Sequence, residues 1–66
     1  TDVIFTQAPL HYEILISNKH RAIREPEIEA IQDFFLKRKI SKETIDEANI
    51  KTLYSEKLIE ISIPTK

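Results

Sequence analysis

A chain of 66 residues with a net charge of −1 makes one domain, too near neutral to mimic DNA and less basic than a compact nucleic-acid binder usually is. It has no cysteine, so disulfide staples and thiolate metal sites are excluded. It also has no glycine, which excludes Gly-rich phosphate loops, dinucleotide fingerprints and a terminal Gly-Gly carrier chemistry.

A content of 41% hydrophobic and 32% charged residues argues for a folded rather than a disordered chain. The apolar runs are far too short for a membrane span. The opening Thr1-Asp2-Val3 lacks the basic start and apolar middle of a secretory leader. The expected setting is cytoplasmic, with turns made by Pro9, Asn18, Ser41, Asn49 and Ser55.

Val3–Gln7 alternates and is rich in β-formers, which predicts a strand with Val3 and Phe5 on one face and Ile4 and Thr6 on the other. Pro9 breaks it. His11–Ser17 predicts a second strand, antiparallel to the first, with Tyr12, Ile14 and Ile16 on one face and Glu13, Leu15 and Ser17 on the other. Asn18–Arg24 is a loop with four potentially cationic side chains: Lys19, His20, Arg21 and Arg24. That cluster is a candidate contact surface for a phosphate or an acidic partner.

Glu25–Asn49 carries the helical signals. Pro26 suits a first helical position, and Glu25, Glu27 and Glu29 stand at the positive end of the dipole. Lys37, Arg38 and Lys39 stand at the negative end. Ile28, Ile31 and Phe35 share a face that Ala30 and Phe34 widen. Asp33 and Lys37 have the spacing of an exposed pair. Ser41 is placed to cap a second helix, with Ile40 and Ile45 at staple spacing and Glu43, Asp46 and Glu47 near its start. This second helix is expected to run to about Ser55. Its sharp junction resembles a helix-turn-helix corner, but its first turns are too acidic for a DNA reader.

Leu58–Ile63 alternates as a last strand, stopped by Pro64. The expected fold is α+β: a three-stranded antiparallel sheet with two helices packed on one face, in the order β-β-α-α-β. The alternative turns Ile50–Ser55 into a wing-like hairpin with the last strand, giving β-β-α-α-β-β. The expected core is Ile14, Ile16, Ile28, Ile31, Phe35, Ile45, Ile59 and Ile61. The second sheet face is left bare, with Leu15, Leu58 and Ile4 pointing out from it.

Chemistry is sparse. His11 and Glu13 project together and, with His20, form at most a weak zinc or general-base set. Ser17, Ser41, Ser55 and Ser62 lack a nucleophile elbow. No metal, cofactor or catalytic residue is therefore expected. The expected function is a small non-enzymatic protein-interaction module: an inhibitor, an adaptor, an immunity or antitoxin-type factor, or a small complex subunit. It would bind a protein partner or self-associate as a homodimer, through Lys19, His20, Arg21, Arg24, Lys37, Arg38, Lys39, Leu15 and Leu58. The alternative is a nucleic-acid-binding regulator that uses the two basic clusters.

Overall fold

The structure, a computed structural model, describes residues 1–66. β1 (Asp2–Gln7) and β2 (His11–Ser17) form a hairpin, closed where the Ala8 N–H donates to the His11 carbonyl at 2.9 Å. Helix α1 (Glu25–Arg38) follows. β3 (Lys51–Tyr54) and β4 (Leu58–Pro64) make a second hairpin, closed by Ser55 N–H to the Leu58 carbonyl at 2.9 Å. The sheet has four antiparallel strands in the order β1-β2-β4-β3, so the two hairpins join along β2 and β4.

This corrects the expected architecture, which had three strands and two helices. The second helix in both versions of that expectation is missing. Ser41–Asn49 instead holds two short 3₁₀ turns, Lys42–Thr44 and Glu47–Asn49. Between them Ile45 is extended and bridges to Thr65. The backbone bonds of this segment run outward to the chain end: Asp46 N–H to the Pro64 carbonyl at 2.9 Å, and Lys66 N–H to the Thr44 carbonyl at 3.0 Å. Ser41 makes no side-chain cap. A helix through Ile45 would forfeit those pairings, and the segment has no second buried residue four positions on to reward it.

Ile50–Ser55 likewise does not extend a helix. A two-residue primed turn requires positive φ, and no residue of the chain has one. The connection uses three residues, Ser55–Lys57, and reaches the hairpin without it.

All eight buried hydrophobic residues are isoleucine: Ile14, Ile16, Ile28, Ile40, Ile45, Ile59, Ile61 and Ile63. Five lie on β2 and β4, where β-branched side chains stand well on a pleated surface. Full burial of each contributes about 1.5–3 kcal/mol. Ile31 and Phe35, expected in the core, are half-buried, whereas Ile40 and Ile63 are fully inside.

Helix α1 starts as its sequence demands, with Pro in the first turn and the Arg24 carbonyl accepting N–H bonds from Glu27 and Ile28. Phe35 stacks on Phe5 at 4.8 Å, which lays the helix along β1 and β2. In this seat Ala30 and Phe34 do not face the core. Both are exposed beside β1, with Phe34 at 48%. Asp33 and Lys37 form no ion pair; the two pairs present are His11–Glu13 and Arg21–Glu27.

Candidate functional site

The helix and the 40–50 segment cover one face of the sheet and leave the other bare. Side chains alternate along every strand, so the strand register defines the bare face row by row. One row crosses all four strands: Ile4, Leu15, Glu60 and Leu53. The next holds Thr6, Glu13, Ser62 and Lys51. The row on the other side holds Asp2, Ser17 and Leu58.

Ile4 is 57% exposed, Leu53 66% and Leu58 38%, while Leu15 is half-buried among its neighbours. A shallow depression of ≈ 190 Å³ lies between β1, β2 and β4, with Ile4, Thr6, Glu13, Leu15 and Glu60 on its walls. Three carboxylates, Asp2, Glu13 and Glu60, stand among these apolar groups against one ammonium, Lys51. The face mixes apolar and acidic groups, with Glu60 between Leu15 and Leu53 in the four-strand row and Asp2 and Glu13 in the rows beside it.

Leu15 and Leu58 share this face. Ile4 joins them, as expected. Leu53 and Glu60 belong to it too. A helical Ile50–Ser55 keeps Leu53 off the sheet; the signal that places it there is the alternation of Thr52 and Tyr54 against Leu53.

The basic residues do not join the face. Lys19, His20, Arg21 and Arg24 are exposed before α1, and Lys37, Arg38 and Lys39 are exposed at its far end. Fourteen helical residues separate the two groups by about 21 Å. Two of these cations are already engaged. Arg21 is bonded to Glu27, and the Arg38 guanidinium lies 5.4 Å from the centre of the Phe34 ring.

The Lys19–Arg24 loop is also more ordered by side chains than a solvated loop requires. Asn18 is buried, and its Oδ1 accepts N–H bonds from His20 at 2.8 Å and Arg21 at 3.1 Å. Its Nδ2 donates to Thr1 Oγ1 at 3.1 Å. This Asx turn throws Arg21 back toward α1.

The Arg21 guanidinium holds the Glu27 carboxyl below the usual carboxylate range, chiefly through their hydrogen bond, with burial opposing. The same bond raises Arg21. A carboxylate lowered by folding stabilises the fold above its unfolded pKa and loses that contribution as pH falls through the folded value. Stability measured by urea unfolding is therefore expected to drop on acidification through and below the carboxylate range. Glu27→Gln should remove part of that drop, and added salt should shrink the effect, because the pair is exposed.

His11 Nε2 lies 3.2 Å from Glu13 Oε1, at the bare-face rim. His20 follows the opposite end of β2, so the three do not converge. No group of three or more His, Asp or Glu side chains is placed to hold a metal ion. No helix is long and apolar enough to cross a membrane.

A family profile described as "Domain of unknown function (DUF1827)" matches residues 1–64. The crystal structure of a conserved protein of unknown function from Streptococcus thermophilus LMG 18311 superposes with a TM-score of 0.95 at 58% identity. That match covers 98% of this chain and 64% of the other, so the chain spans a little under two thirds of its neighbour's length. No curated protein matches the chain.

Proposed function

We propose that this chain, which belongs to the DUF1827 family, is a non-enzymatic protein-binding module that presents its bare sheet face to another protein. The observation that carries the reading is the row Ile4–Leu15–Glu60–Leu53 with Leu58 beside it: apolar side chains left in water on a rigid four-stranded platform. Exposed apolar groups interspersed with charge mark a contact surface. The carboxylates select the partner's chemistry. An apolar patch bordered by Lys or Arg would pair with Asp2, Glu13 and Glu60, and a phosphate backbone would be repelled by them.

The basic groups give weaker support for a nucleic-acid role. They lie at opposite ends of α1, and none shares the face that carries the exposed apolar groups.

The test is capture. Wild-type chain and a Leu15→Lys/Leu53→Lys double variant are used as bait in extracts of the source cell, with a photo-crosslinker placed at Ser62. The expected result is a crosslinked protein retained by wild type and reduced at least tenfold with the double variant. Equal capture by both would reject the bare face as the contact.

A further inference from the structure

We infer that a second copy of this chain docks on the free edge of β1, continuing the sheet across a two-fold axis and pairing the α1 helices antiparallel beneath it. The inference concerns a different surface from the bare face and stands without that reading.

The backbone comes first. Ala8 and His11 face each other in the β1–β2 register and share a hydrogen bond. Bonded pairs alternate along an antiparallel ladder, so Thr6–Glu13, Ile4–Leu15 and Asp2–Ser17 are the bonded pairs. The N–H and C=O groups of Val3, Phe5 and Gln7 therefore point away from the sheet. None of the three takes part in the backbone bonds that lie outside the strands and helices.

Exposed edges are usually blunted by lysine, proline or brevity. The other edge strand, β3, has four residues and begins with Lys51. From Val3 to Gln7, β1 has neither charge nor proline. It is the edge left open for pairing.

The ground beneath that edge is apolar. Val3, Ala30, Ile31, Phe34 and Phe35 line a groove of ≈ 350 Å³ between β1 and α1, with Val3 39% and Phe34 48% exposed. A strand that pairs with β1 would set its own covered-face side chains into this groove.

Charge selects the occupant. Helix α1 runs in the same direction as β1: Thr1 meets Glu27 at one end, and Phe5 meets Phe35 toward the other. Antiparallel pairing of two β1 strands thus sets the two helices antiparallel. On the face of α1 that carries Ile31 and Phe34, each helix has Glu27 in its first turn and Arg38 at its last, while Glu25 and Glu29 project to the opposite side. Arg21 answers Glu27 within the chain, and no carboxylate answers Arg38.

A two-fold axis brings Glu27 of each helix to Arg38 of its copy, with Ile31 and Phe34 between. The spacing is symmetric: Glu27 to Ile31 and Phe34 to Arg38 are each four residues. A patch acidic at one end, apolar in the middle and basic at the other is self-complementary, which an isologous interface requires.

The experiment measures mass by light scattering across concentration, with far-UV circular dichroism as the check on folding. Wild type is expected to dimerise in the micromolar range. Val3→Pro removes an outward N–H that the chain's own ladder does not use, and Phe34→Glu charges the groove. Each should leave the spectrum unchanged and weaken dimerisation at least tenfold.

Glu27→Lys and Arg38→Glu should each be monomeric alone and form a heterodimer when mixed, because mixing restores opposite charges at both ends. That rescue requires antiparallel helices. A wild type monomeric at high micromolar concentration overturns the inference, as does failure of the mixed variants to pair. A dimer broken by Leu15→Lys/Leu53→Lys but not by Phe34→Glu overturns it in favour of the bare face. Persistence of the dimer in Leu15→Lys/Leu53→Lys, with partner capture lost, supports both proposals separately.

Discussion

Ile16→Ala is expected to destabilise the fold by about 3 kcal/mol, within the ~2–5 kcal/mol seen for truncation of a buried isoleucine. Ile16 has no exposed surface. It sits on central strand β2, opposite Val3 on one side and Ile59 on the other. Neither neighbouring strand can collapse into the space without giving up its ladder, so little of the cavity closes. A chain of 66 residues has roughly 3–10 kcal/mol of stability in total. The variant should therefore lose between about a third and all of that stability. Urea unfolding monitored by circular dichroism measures this, with Leu53→Ala as the control expected to change stability by less than about 0.5 kcal/mol. A loss under about 1 kcal/mol for Ile16→Ala would mean that the isoleucine layer is not the stabilising core.

Asn18→Ala is expected to cost about 2 kcal/mol, the largest effect of any polar substitution in the chain. Asn18 is the one buried polar residue, and its amide makes three bonds that join the end of β2, the following loop and Thr1. Alanine leaves the His20 and Arg21 N–H groups without their acceptor, and an orphaned buried donor costs about 1–3 kcal/mol. It also frees Arg21, so the pairing with Glu27 loses its preset geometry. Asn18→Asp keeps the acceptor and loses only the donation to Thr1, so it should retain most of the stability. Amide hydrogen exchange provides the local readout: His20 and Arg21 should exchange faster in Asn18→Ala. Unchanged exchange there would sink the argument even if the melting temperature fell.

Both hairpin strands at the N-terminal end, the helix and the last strand were legible because each carries a strict period. Val3–Gln7, His11–Ser17 and Leu58–Ile63 alternate, and Ile28, Ile31 and Phe35 recur at three and four. The errors cluster in residues 40–55, where no period persists. There, good local signals for a helix start (Ser41, the Ile40–Ile45 spacing, three early carboxylates) lost to long-range pairing. Ile45 is worth more in the core, bridged to Thr65, than in the first turns of a helix with almost no apolar face. Such an outcome depends on residues twenty positions away, which local propensity does not see. The fourth strand is present only in the alternative, which pairs Ile50–Ser55 with the last strand; the main expectation keeps that segment helical for want of a two-residue primed turn, and this chain makes the hairpin without one.

The bare face was foreseen through Leu15, Leu58 and Ile4, with Glu60 on the same side of its strand as Leu58, and lacked Leu53, whose segment the main expectation makes helical. The open β1 edge was out of reach altogether. Strand order decides which strand is an edge, and alternation within a strand carries no information about its neighbours.

That no residue adopts positive φ has a bearing on how freely this protein can be rewritten. Where a fold depends on left-handed backbone, certain positions admit little beyond glycine or asparagine, and every homologue carries the same punctuation. Here the connections are shaped by ordinary backbone angles and a few hydrogen bonds, with Asn18, Ile40 and Ile45 the buried, demanding positions. The exposed loop and face residues are open to any L-amino acid that solvent or a partner tolerates. Under the proposed binding role, the contact surface can drift at little cost to the scaffold.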